Sequence, residues 1–163
     1  MKHLHFLITL VFLFSIILSC QQTPDFEKEK AELLAWHKKN MDALIAADEE
    51  TLFQIMPDGC IELVEGQVNV LNREKDKELL DNMFANTNFT EMPDIAESII
   101  HVSKDGSMAW MINQFKVKYI STDSTGQETP GERTGGELLV FEKKNAQWVL
   151  VSYSESYQKP ADK

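Results

Sequence analysis

The chain has 163 residues, 43% of them apolar, with 26 acidic against 16 basic residues and a formal net charge of −10. That length sets a prior of one ordinary domain. The acidic excess, with no Lys/Arg cluster, excludes the electrostatic footprint of a nucleic-acid binder and electrostatic docking onto an anionic membrane.

Leu4 to Leu18 is nearly all apolar, broken only by His5, Thr9 and Ser15. The run is shorter than the roughly 20 residues of a spanning helix and suits the apolar core of a secretory signal. It ends in Ile17-Leu18-Ser19-Cys20, which resembles the bacterial lipoprotein box. The basic segment before it is short, only Lys2 and the amino terminus. The resemblance implies cleavage before Cys20, a diacylglyceryl group on its sulfur, and a bilayer partner reached through acylated Cys20. Each buried acyl CH₂ contributes about 0.8 kcal/mol to such anchoring. The expected address is the bacterial cell envelope, the outer membrane ahead of the inner, with the domain outside the cytoplasm. Residues 1–19 are then a signal peptide and 20–25 the lipidated cysteine and a tether. Residues 26–158 form the domain and 159–163 a C-terminal tail. With Cys20 lipidated, Cys60 has no disulfide partner and reads as a small buried hydrophobe.

Asp25 caps a helix predicted to reach Ala47, with Glu27 and Glu29 in its first turn. At about 100° per residue, Phe26, Leu33, His37, Met41 and Leu44 share one arc and Leu34, Asn40 and Ile45 flank it. A second, short helix capped by Asp48 runs to Met56 and stops at Pro57-Asp58-Gly59. Cys60–Val64 and Gln67–Leu71 form a small hairpin. Asn72 caps a third helix, from Arg73 to about Asn86, with Leu79, Leu80, Met83 and Phe84 on its inner side. Four strands follow, at Ile95–Ser103, Ser107–Ser121, Glu132–Lys143 and Gln147–Tyr157, with a polar loop from Thr122 to Gly131. The last two flank the turn Lys143-Lys144-Asn145-Ala146, and Trp148 just after it is expected to anchor that hairpin. The predicted class is α+β: three N-terminal helices packed on a curved antiparallel β-sheet.

This order resembles the nuclear-transport-factor-2-like, or SnoaL-like, superfamily, whose fold is a cystatin-like cone. The pieces that carry the resemblance are Ala43-Leu-Ile-Ala-Ala-Asp48, Pro57-Asp-Gly59, Gly106-Ser-Met-Ala-Trp110 and Phe141-Glu-Lys-Lys-Asn-Ala-Gln-Trp148. The resemblance implies a cavity between the first helix and the sheet. The fold hosts enzymes, binding proteins and oligomerisation modules, so it does not settle function.

Both faces of the strand from Ala109 to Val117 are partly apolar, and periodicity alone leaves open which lines the cavity. Similarity to ketosteroid isomerases and kinase association domains favours Trp110, Ile112 and Gln114, then Leu139 and Phe141, then Val151, Tyr153 and Glu155, with Asn40 from the first helix. Met111, Phe115, Leu138 and Val140 would then form the outer face of a homodimer. The isomerase machinery is not matched: its helix-one tyrosine falls at Asn40, its general base near Leu63 or Val64, and its second acid at Leu139. Where kinase association domains carry a pocket arginine this chain has Glu155, which favours a neutral or cationic ligand over an anion.

His37 is the best titratable group on the apolar arc, with Glu62 and Glu155 as candidate partners for acid–base work. A core histidine without chemistry fits the same position. His37, His101 and Cys60 lack zinc-site spacing, so no metal is expected, and no motif implies a cofactor. Three functions stay open: a binding module for a small neutral or cationic ligand, a small isomerase, lyase or hydrolase using His37 with a carboxylate, and a structural dimer.

Overall fold

The computed structural model describes residues 24–158. The leader, Cys20 and the tail lie outside the described residues. The elements run α1 Phe26–Ala46, α2 Glu49–Ile55, β1 Ile61–Val64, β2 Gln67–Val70, α3 Arg73–Asn86, β3 Thr87–Glu91, β4 Ile99–Val102, β5 Met108–Thr122, β6 Glu128–Lys144 and β7 Gln147–Tyr157.

Each helix starts where a short polar side chain can take an otherwise unpaired backbone donor. Asp25 accepts from the Lys28 N–H, Asp48 from Thr51 and Asn72 from Lys75. α1 ends at Ala47, whose left-handed backbone lets its N–H close on the carbonyls of Ala43 and Leu44.

The sheet order is β2-β1-β7-β6-β5-β3, with β4 also paired to β5. β5, β6 and β7 are neighbours in sequence and pair antiparallel. β1 pairs parallel with β7, so the sheet is mixed: the small hairpin is brought from the other end of the chain to close it. The sequence reading has no strand at β3. Thr87, Phe89 and Thr90 are β-formers, but the strand starts directly at the end of α3, without the Gly or Pro that usually marks such a change. β4 is shorter than the predicted Ile95–Ser103. The loop after β5 is also tighter than predicted, because Asp123 Oδ1 accepts from the N–H groups of Thr125 and Gln127 and β6 begins at Glu128.

α1 lies across the concave face of the sheet. Leu33 meets Met111, Leu139, Phe141 and Leu150 in one core cluster, with Cys60 at its side. The Trp36 and Phe141 rings meet edge to face, with centroids 5.0 Å apart. Cys60 is buried, and desolvation pushes its thiol up to about 11. That makes the thiolate scarce at neutral pH. Near its N-terminus α1 is clamped to the last hairpin: the buried Glu29 accepts from Trp148 Nε1 at 2.8 Å and pairs with Lys143. α3 sits differently. None of its residues is buried, and Leu79, predicted to face inward, is 68% exposed. The helix lies over the mouth of the cone, where Leu80, Met83 and Phe84 are its only apolar residues with partial cover.

Candidate functional site

The faces of β5 are the reverse of the expected ones. Ala109, Met111, Asn113, Phe115 and Val117 are buried under the helices, while Trp110, Ile112 and Gln114 are exposed on the outer face. Residues directly opposite in an antiparallel pair share a face. Met111 faces Leu139 and Ala109 faces Phe141, whereas Trp110 faces Val140 and Ile112 faces Leu138. Leu139 and Phe141 do point inward. An inward Trp110 would need a register one residue away, which flips every side chain.

Val151 is a second correction. The pairing of β6 with β7 shifts between Val140 and Phe141, so Val140 faces Ser152 and Phe141 faces Leu150. Val151 is the extra residue of that bulge, and Leu150 takes the inward place. Beyond the bulge the alternation resumes, with Leu139 opposite Tyr153 and Glu137 opposite Glu155.

These strands enclose, with α1 and α3, a cavity of about 210 Å³. Of the expected lining it keeps Asn40, Leu139, Tyr153 and Glu155, and adds Trp36, Phe89, Phe115, Glu137, Leu150 and Tyr157. Phe141 packs beneath Trp36 in the apex of the cone instead. A Cβ on Gly135 would lie 2.9 Å from both the Phe115 and Tyr157 rings. Glycine there is what lets those two rings approach edge to face, 6.3 Å between centroids.

His37 is 3% exposed and stands behind this wall. Its Nε2 is 2.9 Å from Asp94 Oδ1 and its Nδ1 is 3.3 Å from Glu137 Oε1. Its partners are thus Asp94 and Glu137, and neither Glu62 nor Glu155. Asp94 comes from the connection between β3 and β4, a stretch with no periodicity to reveal it. It is held to β5 by the Lys116 N–H bonding Pro93 O and the Ile95 N–H bonding Gln114 O. Asn113 Nδ2 donates to Glu137 Oε1 at 2.8 Å and sits 3.2 Å from His37 Nδ1. Burial alone would lower the His37 pKa. The hydrogen bonds to Glu137 and Asp94, and their charges, outweigh it, and the imidazole titrates above its ordinary value. Glu62 is engaged elsewhere, accepting from the Tyr153 hydroxyl and from Asn69 Nδ2.

Glu155 is the group poised for proton exchange. Burial first, then the charge of Glu137, pushes it up to about 7. A carboxyl with that affinity donates or accepts a proton near neutrality. Among the described residues two buried side-chain acceptors have no hydrogen-bond donor: the Oδ1 of Asn40, a residue that lines the cavity, and Asn113 Oδ1. An unpaired buried carbonyl costs about 1–3 kcal/mol, so Asn40 is a position where a ligand donor gains most.

The raised Glu155 value has a thermodynamic consequence. A carboxyl whose folded pKa exceeds its unfolded one favours folding when protonated. That contribution is lost as pH rises from the ordinary glutamate value of about 4.3 through about 7. Glu155→Gln should therefore raise the melting temperature by several degrees near about pH 8 and leave it unchanged near about pH 4. Thermal melts at the two pH values check this; an equal effect at both would place Glu155 in water.

The solved structures that resemble the chain share its fold. A nuclear transport factor 2 (NTF2-like) superfamily protein from Salmonella enterica superposes with a TM-score of 0.69 at 18% identity, over 84% of this chain and 96% of that one. The association domain of C. elegans CaMKII gives 0.60 at 17% identity, over 80% and 96%. A ketosteroid isomerase-like protein from Erwinia carotovora atroseptica gives 0.60 at 19% identity, over 80% and 96%. No curated protein matches the chain. Residues 34–160 match the SnoaL-like domain, and with that extent of match the chain belongs to the SnoaL-like family.

Proposed function

We infer that this chain is an envelope lipoprotein whose cone cavity binds a small neutral or cationic ligand. The observation that carries the reading is Asn40 Oδ1, a buried acceptor without a donor on the wall of a cavity of about 210 Å³. Most of the other lining is apolar or aromatic, which is the usual pattern of a small-molecule site with a few convergent polar groups. Native mass spectrometry of the protein released from its own envelope tests the reading. The wild type should carry a small-molecule adduct, and Leu139→Trp, which fills the cavity, should lose it. A wild type without adduct under gentle release would leave the structural-dimer reading in its place.

A second reading, an acid–base enzyme, is favoured by Glu155, which exchanges its proton near neutrality beside Glu137. In that reading Glu155 carries the proton. His37 sits behind Glu137 and Asn113 and orients them.

The address rests on the leader that ends in Ser19-Cys20. Cys20→Ala should leave the protein uncleaved or release it from the membrane fraction. A mutant that still sediments as a mature-sized, acylated species would remove the anchor.

A homodimer through the outer sheet face completes the reading, with its residues revised. Met111 and Phe115 are interior, so the apolar band consists of Met108, Trp110, Ile112, Leu138 and Val140. A contiguous apolar band of this kind marks an association surface. Trp110→Glu with Leu138→Glu should give monomers by analytical ultracentrifugation, with the melting temperature little changed. A wild type that stays monomeric at high concentration would exclude the dimer.

A further inference from the structure

The inner cavity is not the whole of the hollow. A second space of about 480 Å³ lies between α2, the β1–β2 hairpin and α3. Met56, Leu80, Met83 and Tyr153 line both spaces, so the two share a wall made in part by those four side chains. Met and Leu are side chains that yield: Met in particular has three rotatable bonds and no branch. The two spaces differ in chemistry. The inner one offers acceptors and rings: the carboxyls of Glu137 and Glu155 on adjacent strands, Asn40 with its donorless Oδ1, and the aromatic residues Trp36, Phe115 and Tyr157, the last already covered by the Arg133 guanidinium 5.5 Å from its centroid. No lysine or arginine lines it among the described residues. The outer one has an apolar floor that includes Leu52, Phe53, Leu71 and Leu79, and its charged lining residues are of both signs: Asp58, Glu62 and Asp76 beside Arg73 and Lys75.

We propose that the ligand is an alkylammonium amphiphile: its charged head lies against Glu137, Glu155 and Asn40, and its chain runs past Met83 into the groove under α3. The proposal rests on the binding reading above and names the ligand class for that same cavity. An ammonium N–H supplies the donor that Asn40 lacks. Its charge is matched by the carboxyls and by the ring faces, which attract cations. The chain explains two further observations. α3 keeps Leu79 in water although the helix has an apolar side, and it buries none of its residues. A hydrocarbon chain in the groove covers that side, so the ligand finishes packing that the protein leaves incomplete.

The test uses the full-length chain in lipid nanodiscs and three probes, ethylamine, butylamine and hexylamine, followed by calorimetry. Affinity should rise by about fourfold for each methylene that enters the groove. Hexanol should bind at least tenfold more weakly than hexylamine. Leu79→Arg, at a position exposed enough to tolerate the change, should flatten the length dependence while ethylamine binds as before. Ethylamine binding with no gain at hexylamine, or hexanol matching hexylamine, overturns the amphiphile and leaves the cavity reading standing. Loss of every probe from the wild type, together with the absence of a native adduct, overturns both.

Discussion

Phe141→Ala should cost about 3–5 kcal/mol, as large-to-small changes of a buried aromatic do. Phe141 is fully buried, and it touches the three parts that make the cone. From β6 it faces Ala109 of β5 and Leu150 of β7. It also meets the Trp36 ring of α1 edge to face. An alanine there leaves a void under the helix, and α1 cannot settle into it while Glu29 stays bonded to Trp148. A domain of this size has about 5–15 kcal/mol of total stability, so the substitution removes a large share. Urea denaturation of the wild type and the variant measures it. Trp110→Ala is the control, since its ring lies on the outer face, where it stacks on His101 with centroids 5.4 Å apart. An equal fall in midpoint for the two variants would contradict the assignment of faces.

His37→Leu should be comparably damaging, by about 3–5 kcal/mol, because it removes one partner of a buried charged network. Glu137 would keep only Asn113, and Glu155 would remain opposite it across the strands. The pH dependence distinguishes this loss from a packing defect. His37 has its pKa raised in the folded state. The stability it contributes is fully present below the unfolded histidine value of about 6.5 and is lost as pH rises through the higher folded one. The gap between wild type and His37→Leu should therefore be widest near about pH 6 and narrow toward about pH 9. Thermal melts across that range decide; a gap independent of pH would mean that His37 serves as packing alone.

Much of the architecture was legible because it depends on neighbours in sequence. Asp25, Asp48 and Asn72 cap helices through residues three positions on. The final hairpin turns at Asn145 and Ala146, both with positive φ, as the twist of a two-residue turn demands. The faces of β5 were not legible from alternation. Trp110 and Ile112 are as apolar as Met111 and Phe115, so hydrophobicity gave two equal answers one residue apart. What decides between them is the register against β6, which is set by the length of the loop between those strands. That length follows from the Asp123 turn, a contact of side chain with backbone. The polar residues were the better signal. Asn113 and Glu137 interrupt apolar strands, and both prove to be buried partners of His37. Asp94 could not be found in the same way, because only the fold brings it 57 residues back to α1.

The parallel pairing of β1 with β7 also bears on how the chain acquires its structure. Glu62 lies opposite Tyr153, and the Glu29–Trp148 bond spans 119 residues. Sheets built from such distant pairings fold slowly, on the order of milliseconds to seconds, because loop closure precedes the gain from contact. Here the last of the described strands, β7, is the one that joins the hairpin to the rest of the sheet. Until Gln147–Tyr157 has emerged, one side of β6 has no partner and α1 has no Trp148 to grip. A truncation before Gln147 should therefore expose the long edge of β6 to other chains.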